Sequence, residues 1–464
     1  MDSLSQAVET ALAPRPEVVE AEQPRRRKDT AAAEEPRRKH VDHHLWGTYL
    51  LLVFIAIVEL FSASIQEVRD GDIFNPILRH CYFIVGGLVI MLVLQKIHYR
   101  WIYGCIPFFV LACWGALIAV LVGGESINGA VRAIKIGGIQ ILPAEFMKLG
   151  SALGMAWILS RTQCKGKRDI SWWGFAAVLG FMGLSCVLLF SQGLSNTLVV
   201  VAICFSMMLI GGMGWKKFFL MLAIVGVLGG VAIKLKTSAQ DATELSERQM
   251  QIYALNHVEL EQGIADGRGE TWKNRIARHF RPDKHLEEFS VENQQEQLSY
   301  IAQAHGRLFG VGPGKSRENA RLPLASLDYI FAIIVEELGL FAGLGILIVY
   351  MWILGRSAKL TMQFKQTMPG VLVMGCSFVI VFQALFHMAI VTGVFPVSGQ
   401  PLPLISKGGI SVIATSLAFG VMLSCSKHAA RVSDSRDEQV KEQEILPENA
   451  QSVNPVMTGV VENK

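Results

Sequence analysis

The chain is patterned by apolar runs of roughly 20 residues separated by short polar segments. They fall at about 45–65, 79–97, 103–122, 140–160, 172–191, 195–213, 217–235, 328–354, 369–392 and 405–425. A helix of about that length crosses the ~30 Å hydrocarbon layer of a bilayer. A buried soluble core supplies one or two such runs, not ten. The pattern therefore predicts an all-α, polytopic membrane protein with about ten transmembrane helices over 45–425.

Composition agrees once its distribution is considered. Of the 464 residues 51% are hydrophobic, only 18% are charged, and mean hydropathy is +0.38; soluble domains carry about 25% charged residues. The charges concentrate in three places. Residues 1–44 are rich in Ala, Glu, Pro and Arg, including Arg25-Arg26-Arg27-Lys28, and residues 426–464 are charged. Neither segment buries enough apolar surface to order itself, so both are expected to be disordered tails. No apolar stretch precedes a cleavage site in the first tail, and no cleavable signal peptide is expected. The third place is a polar loop over 236–327. It ends in Gly306–Gly314, where four glycines among Leu308, Phe309 and Val311 suggest a shaped turn.

The net charge of +4 says little about partners. Its placement says more, because Lys and Arg accumulate in cytoplasmic loops. With the first tail inside, each inside loop is basic: Lys96 and Arg100; Arg161, Lys165, Lys167 and Arg168; Lys216 and Lys217; Arg356, Lys359 and Lys365; Lys427 and Arg431. Both termini are then cytoplasmic, and the 236–327 loop lies on the outer face. Eight cysteines stand singly, with no CxxC or Cys/His spacing, so neither a zinc site nor a disulfide framework is indicated.

Polar residues inside apolar spans are costly and usually have a task. Three places stand out. Leu142-Pro143-Ala144-Glu145-Phe146-Met147-Lys148 opens the fourth span, with Glu145 and Lys148 three apart on one helix face. They form either an internal ion pair or a cation for an anionic ligand group, and pairing can serve both. Asp328 stands where the long loop becomes membrane helix, as an N-cap or as a catalytic carboxylate. Glu336 and Glu337 lie about two turns deeper and are expected to pair with intramembrane cations such as Lys148. Gly393–Ser411 holds three prolines and four glycines in an apolar setting. Such broken backbone is tolerated at membrane depth only when buried in protein or lining a wet cavity. By itself this segment suits a transporter equally well.

These segments resemble the SEDS family of FtsW, RodA and SpoVE, and its FtsW branch more than RodA. The last segment is similar to the family's Pro-x-Thr/Ser-Gly turn, Pro-Leu-Pro and Ser-x-Gly-Gly-x-Ser. Ser62-Ala63-Ser64, Arg79-His80, Asn128-Gly129-Ala130-Val131-Arg132, Pro143 to Lys148 and Gly310 to Ser316 match further motifs in order. The pattern Pro-Glu-x-His-Thr-Asp-Phe-Ile-Phe reads Pro323-Leu324-Ala325-Ser326-Leu327-Asp328-Tyr329-Ile330-Phe331 here. Asp328 is retained while the Glu, His and Thr are not. Lys407 replaces the Tyr of the last signature, and Ile134 stands near the position of a Trp.

The resemblance implies a peptidoglycan glycosyltransferase that polymerises lipid II, an undecaprenyl-diphosphate-linked disaccharide-peptide, during septal wall synthesis. A sugar 4-hydroxyl attacks an anomeric carbon and diphosphate-lipid leaves. Asp328 is the implied general base. Lys148, Arg79 and Arg132 are candidates to offset the diphosphate charge, with Glu145 beside Lys148, and a divalent cation (Mg or Mn) is a candidate aid. Ser406, Gly408 and Gly409 offer hydroxyl and backbone donors to a head group. The rival readings are a lipid II flippase and a non-catalytic division scaffold. Implied partners are a class B penicillin-binding protein (an FtsI-like transpeptidase) and other divisome membrane proteins, with no nucleic acid. The implied location is the bacterial inner membrane, at the division septum.

Overall fold

A computed structural model describes residues 41–63, 75–123, 125–127, 130–136, 139–164, 169–231, 279–280, 293–322, 325–431, 434 and 436–446. Each of the ten apolar segments holds a helix. These are α1 (His43–Ala63), α2 (Asn75–Leu94), α3 (Tyr99–Gly123), α4 (Pro143–Thr162), α5 (Trp172–Phe190), α6 (Leu194–Ile210) and α7 (215–231). A short amphipathic helix α8 (Gln294–Gly306) and a single turn α9 (Ala325–Asp328) precede α10 (Ile330–Thr361), α11 (Thr367–Val391) and α12 (Gly409–His428). By length and hydropathy five of the described helices are able to cross a membrane: α3, α5, α10, α11 and α12. The apolar helices within α1, α2 and α6 are shorter. The first tail and most of the 236–327 loop lie outside the described residues.

Burial sorts these helices into a centre and a shell. In the most apolar stretch of α11, 83% of residues are buried, against 28% in α3. The centre is α4 and α11, whose apolar faces pack on α6, α10 and α12. The shell helices point Trp101, Phe108, Val122, Trp173, Val187 and Phe219 outward, as a lipid-facing surface requires. Close helix approach rests on small residues, as is common in membranes. A Cβ on Gly87 would stand 2.5 Å from the Ser416 hydroxyl, and one on Gly420 2.8 Å from Leu94, so α2 lies tight along α12.

Two parts depart from the expectation of helices between disordered tails. A three-stranded antiparallel sheet precedes α4, with β1 (Glu125–Ile127), β2 (Ala130–Ile136) and β3 (Ile139–Ile141) in the order β1-β2-β3. Ile134 pairs with Ile141 and Ile136 with Ile139, and the β-branched residues that read as the flank of a span suit a hairpin. The segment after 425 is also ordered in part. Helix α12 runs to His428, and α13 (Arg436–Ile445) folds back on the bundle. Buried Glu442 anchors it, accepting from the Tyr99 hydroxyl and, at 2.7 Å, from the Ala430 amide. Composition favoured disorder, but these few tertiary contacts outweigh it. Nearby, Arg356 grips Asp42 through Nε at 2.9 Å and Nη2 at 2.7 Å. Burial alone would raise the Asp42 carboxyl; Arg356 and the amides of Leu45 and His44 hold it below its usual value of 3.8.

Helix α10 is broken where Gly339 takes φ 84° and ψ 173°. A break at membrane depth leaves backbone groups that need partners. The glycine turn after α8 supplies them. Val311 and Gly312 donate to the Glu336 and Glu337 carbonyls at 2.9 Å each, while Leu340 donates to Arg307 at 3.0 Å. Two backbones this close leave no room for side chains. A Cβ on Gly339 would lie 2.3 Å from the Leu308 oxygen, and one on Gly310 2.1 Å from the Glu337 oxygen. Positive φ at Gly310, Gly312 and Gly314 completes the turn anticipated at 306–314.

Candidate active site

Asp328 closes the single turn α9 and is half-buried. Its carboxylate packs on the 396–399 turn: a Cβ on Gly399 would stand 2.8 Å from Asp328 Oδ2, so only glycine leaves the carboxylate that position. The N-cap of α10 is Tyr329, and no side chain caps it by hydrogen bond. The amide of Lys407 donates to the Ser326 carbonyl at 2.9 Å, which ties the last signature to the turn bearing Asp328.

Beneath this turn lies a buried polar network. Lys148, 0% exposed, donates to Glu145 at 2.7 Å and to the Gln400 side chain at 3.3 Å. Gln400 donates to Asn196 at 2.8 Å, and its carbonyl meets His387 Nδ1 at 2.6 Å. Gln383 reaches Glu145 at 3.2 Å and the Pro401 carbonyl at 3.2 Å. Helices α4, α6 and α11 thus hold the Pro396–Pro403 backbone from below. Tyr350 of α10 adds a 2.6 Å bond to the Pro403 carbonyl. Lys148 forms the internal ion pair, and its ammonium faces Glu145 and Gln400 in this structure.

The other candidates are distributed around this core. Ser406 is buried, and its hydroxyl accepts from the Leu402 amide at 2.7 Å, closing the loop on itself. Gly408 is the N-cap of α12. Gly409 faces the Phe83 ring, where a Cβ would come within 2.3 Å, so its smallness serves the α2–α12 contact. Arg79 is exposed at the start of α2. The backbone of Arg132 belongs to β2; its side chain lies outside the described ones.

Glu336 and Glu337 do not pair with Lys148. Glu336 accepts from Ser316 and from the Arg317 amide at 3.1 Å; Glu337 accepts from Ser62 and from the Gly314 amide at 3.0 Å. Position along the chain suggested a lysine partner. The kink at Gly339 instead brings the glycine turn over both carboxylates. Glu59 joins them, 1% exposed and close enough to Glu337 to repel it. Gln383, His387 and Glu59 went unremarked in the sequence, although a polar residue deep in an apolar run was signal enough. Among the described residues no three His, Cys, Asp or Glu side chains gather as a metal cage. An apolar cavity of about 620 Å³ opens between α8, α10 and α11, lined by Arg307, Leu308, Phe331, Leu344 and Met388 among others. Asp328 does not line it.

The fold and this site define a polytopic helical membrane protein with a carboxylate at the end of a short helical turn, packed against a proline- and glycine-rich loop between helices. The chain belongs to the cell cycle protein family FtsW/RodA/SpoVE, which matches residues 42–257 and 269–431. A probable peptidoglycan glycosyltransferase FtsW of Hahella chejuensis is 25% identical over 421 residues, 88% of this chain and 96% of that protein. The corresponding protein of Tolumonas auensis is 29% identical over 83% of this chain and 92% of its own length. Stage V sporulation protein E of Bacillus subtilis is 26% identical, covering 82% and 95%. Among solved structures, a peptidoglycan synthase complex that coordinates polymerization and crosslinking contains a similar chain, with TM-score 0.62 and 22% identity over 85% of this chain and 99% of that one. Thermus thermophilus RodA matches with TM-score 0.56 and 22% identity, covering 85% and 98%.

Proposed function

We propose that the chain is a peptidoglycan glycosyltransferase that polymerises lipid II at the outer face of the bacterial inner membrane during septal wall synthesis. The observation that carries this reading is Asp328, half-exposed against the Gly399 turn in a chain whose relatives are named for that activity. The carboxylate takes the proton of an acceptor sugar 4-hydroxyl as its oxygen attacks the anomeric carbon of the donor. The bond from that carbon to the diphosphate breaks, and lipid-diphosphate leaves with the electron pair. A positioned base contributes about 10²–10⁴-fold. Cations at the outer rim, Arg79 and Arg132 among them, stabilise the departing charge. Buried Lys148 and Glu145 hold the turn through Gln400 and Gln383.

Both termini are cytoplasmic in this reading, and the partner is a class B penicillin-binding transpeptidase that crosslinks the strands. The match to a chain from a synthase complex supports such a partner. The test uses full-length protein in detergent with that transpeptidase and labelled lipid II. Glycan strands are expected from the wild type, with Asp328→Asn slower by 10²–10⁴-fold. Detergent offers no bilayer to cross, so strands exclude a flippase without chemistry. An Asp328→Asn protein that polymerises at the wild-type rate removes the assignment of the base.

A further inference from the structure

Lys407 is the departure from the family signature with the largest chemical consequence, since a cation stands where the pattern has a neutral tyrosine. It follows buried Ser406 and is itself half-buried. Its amide bonds the Ser326 carbonyl, two residues before Asp328. Its ammonium lies close enough to His80 to act on it electrostatically. His80 is 3% exposed, and its Nδ1 has no hydrogen-bond partner. Arg79, one residue earlier, is exposed on the same turn of α2. A lysine whose backbone is tied to the turn that presents the carboxylate therefore stands near a buried imidazole with an unused nitrogen. The local Glu, His and Thr of the family pattern are replaced by Leu324, Ser326 and Leu327.

We propose that Lys407 is a substrate-binding residue that holds the diphosphate of the lipid-linked sugar beside Asp328. This rests on the glycosyltransferase reading and names the group that meets the substrate's charge. Lys148, the first candidate for that task, is wholly buried and directed at Glu145 and Gln400. A half-buried lysine suits the role better than a wholly buried one, since part of the residue stays accessible while water is partly excluded. A point charge on a flexible stem is a common way to hold phosphate. Arg79 supplies a second contact from across the α2–α12 seam.

The test measures binding of undecaprenyl diphosphate and undecaprenyl phosphate to the full-length protein in detergent, at two salt concentrations. A hydrogen bond to a charged group is worth enough to expect a loss of about 10–100-fold in diphosphate affinity for Lys407→Met. Preference over the monophosphate should narrow, and Lys407→Arg should stay within a few-fold of wild type. Lys407→Tyr, carrying the family residue, should fold normally and bind like Lys407→Met. Unchanged affinity in Lys407→Met overturns the proposal. So does a Lys407→Arg protein as weak as Lys407→Met, or a wild type without affinity for the diphosphate lipid. Asp328→Asn separates this idea from the reading beneath it, since it should lose polymerisation and keep diphosphate affinity. A wild type that binds through Lys407 yet makes no strands would sink the enzymatic reading alone.

Discussion

The Glu145–Lys148 pair permits a quantitative test of how the bundle holds its signature loop. Both side chains are nearly inaccessible, at 8% and 0%, and 2.7 Å apart. Lys148→Met leaves a buried carboxylate whose partners reduce to the Gln383 amide; Glu145→Gln leaves a buried ammonium on the Gln400 oxygen. Breaking such a pair from one side costs about 3–5 kcal/mol, because the remaining charge stays desolvated. Replacing both members with neutral groups of similar size removes that penalty, and the double variant should return to within about 1 kcal/mol of wild type. The difference is a coupling of several kcal/mol, above the usual range for residues in contact. Thermal unfolding in detergent, followed by tryptophan fluorescence, reads it as large drops for each single variant and recovery for the double. Single variants within 1 kcal/mol of wild type, or a double equal to the sum of its singles, would refute the reasoning. The charges would then be solvated in a way the packing does not allow.

Further tests address the backbone and the opposite end of the bundle. Gly339→Ala places a methyl against the Leu308 carbonyl at positive φ, and a loss of about 2–5 kcal/mol in unfolding experiments is expected. Gly345→Ala, on the same helix with nothing within 4 Å, should be neutral or stabilise by up to about 1 kcal/mol. Equal behaviour of the two variants would remove the account of the kink. Asp42 has a lowered folded value, so its pairing stabilises above the unfolded 3.8 and fades as pH falls through the folded value. Arg356→Met should therefore be markedly less stable than wild type at pH 7, with the gap closing as pH falls below 3.8 and through the lowered folded value. A gap that stays constant as acid titration runs from pH 7 until the Asp42 carboxyl is protonated in the folded protein would show that the pair is not what Arg356 contributes.

Much of this protein is determined by linear pattern. An apolar run of about 20 residues has few options in lipid, and each of the ten predicted segments holds a helix among its described residues. Residue type at membrane depth also marked the candidates: Asp328 at the loop–helix junction, Glu145 and Lys148 three apart, and the proline- and glycine-rich turn before α12. Where partners are one helical turn away, spacing alone is enough, and the Glu145–Lys148 pair follows from it. The tertiary structure decided everything that depends on contacts across the chain. Glu336 and Glu337 took partners from the 314–317 turn and from Ser62, because a kink whose direction no local pattern encodes turned them there. Gly399 admits the Asp328 carboxylate, and Lys407 reaches Ser326, only because α9 and the re-entrant loop meet. Helix α13 is stabilised by distant hydrogen bonds from Tyr99 and Lys365, which local propensity does not contain. Pattern sets which segments enter the membrane; packing alone chooses the neighbour of each polar group, since that choice is a matter of distance in space.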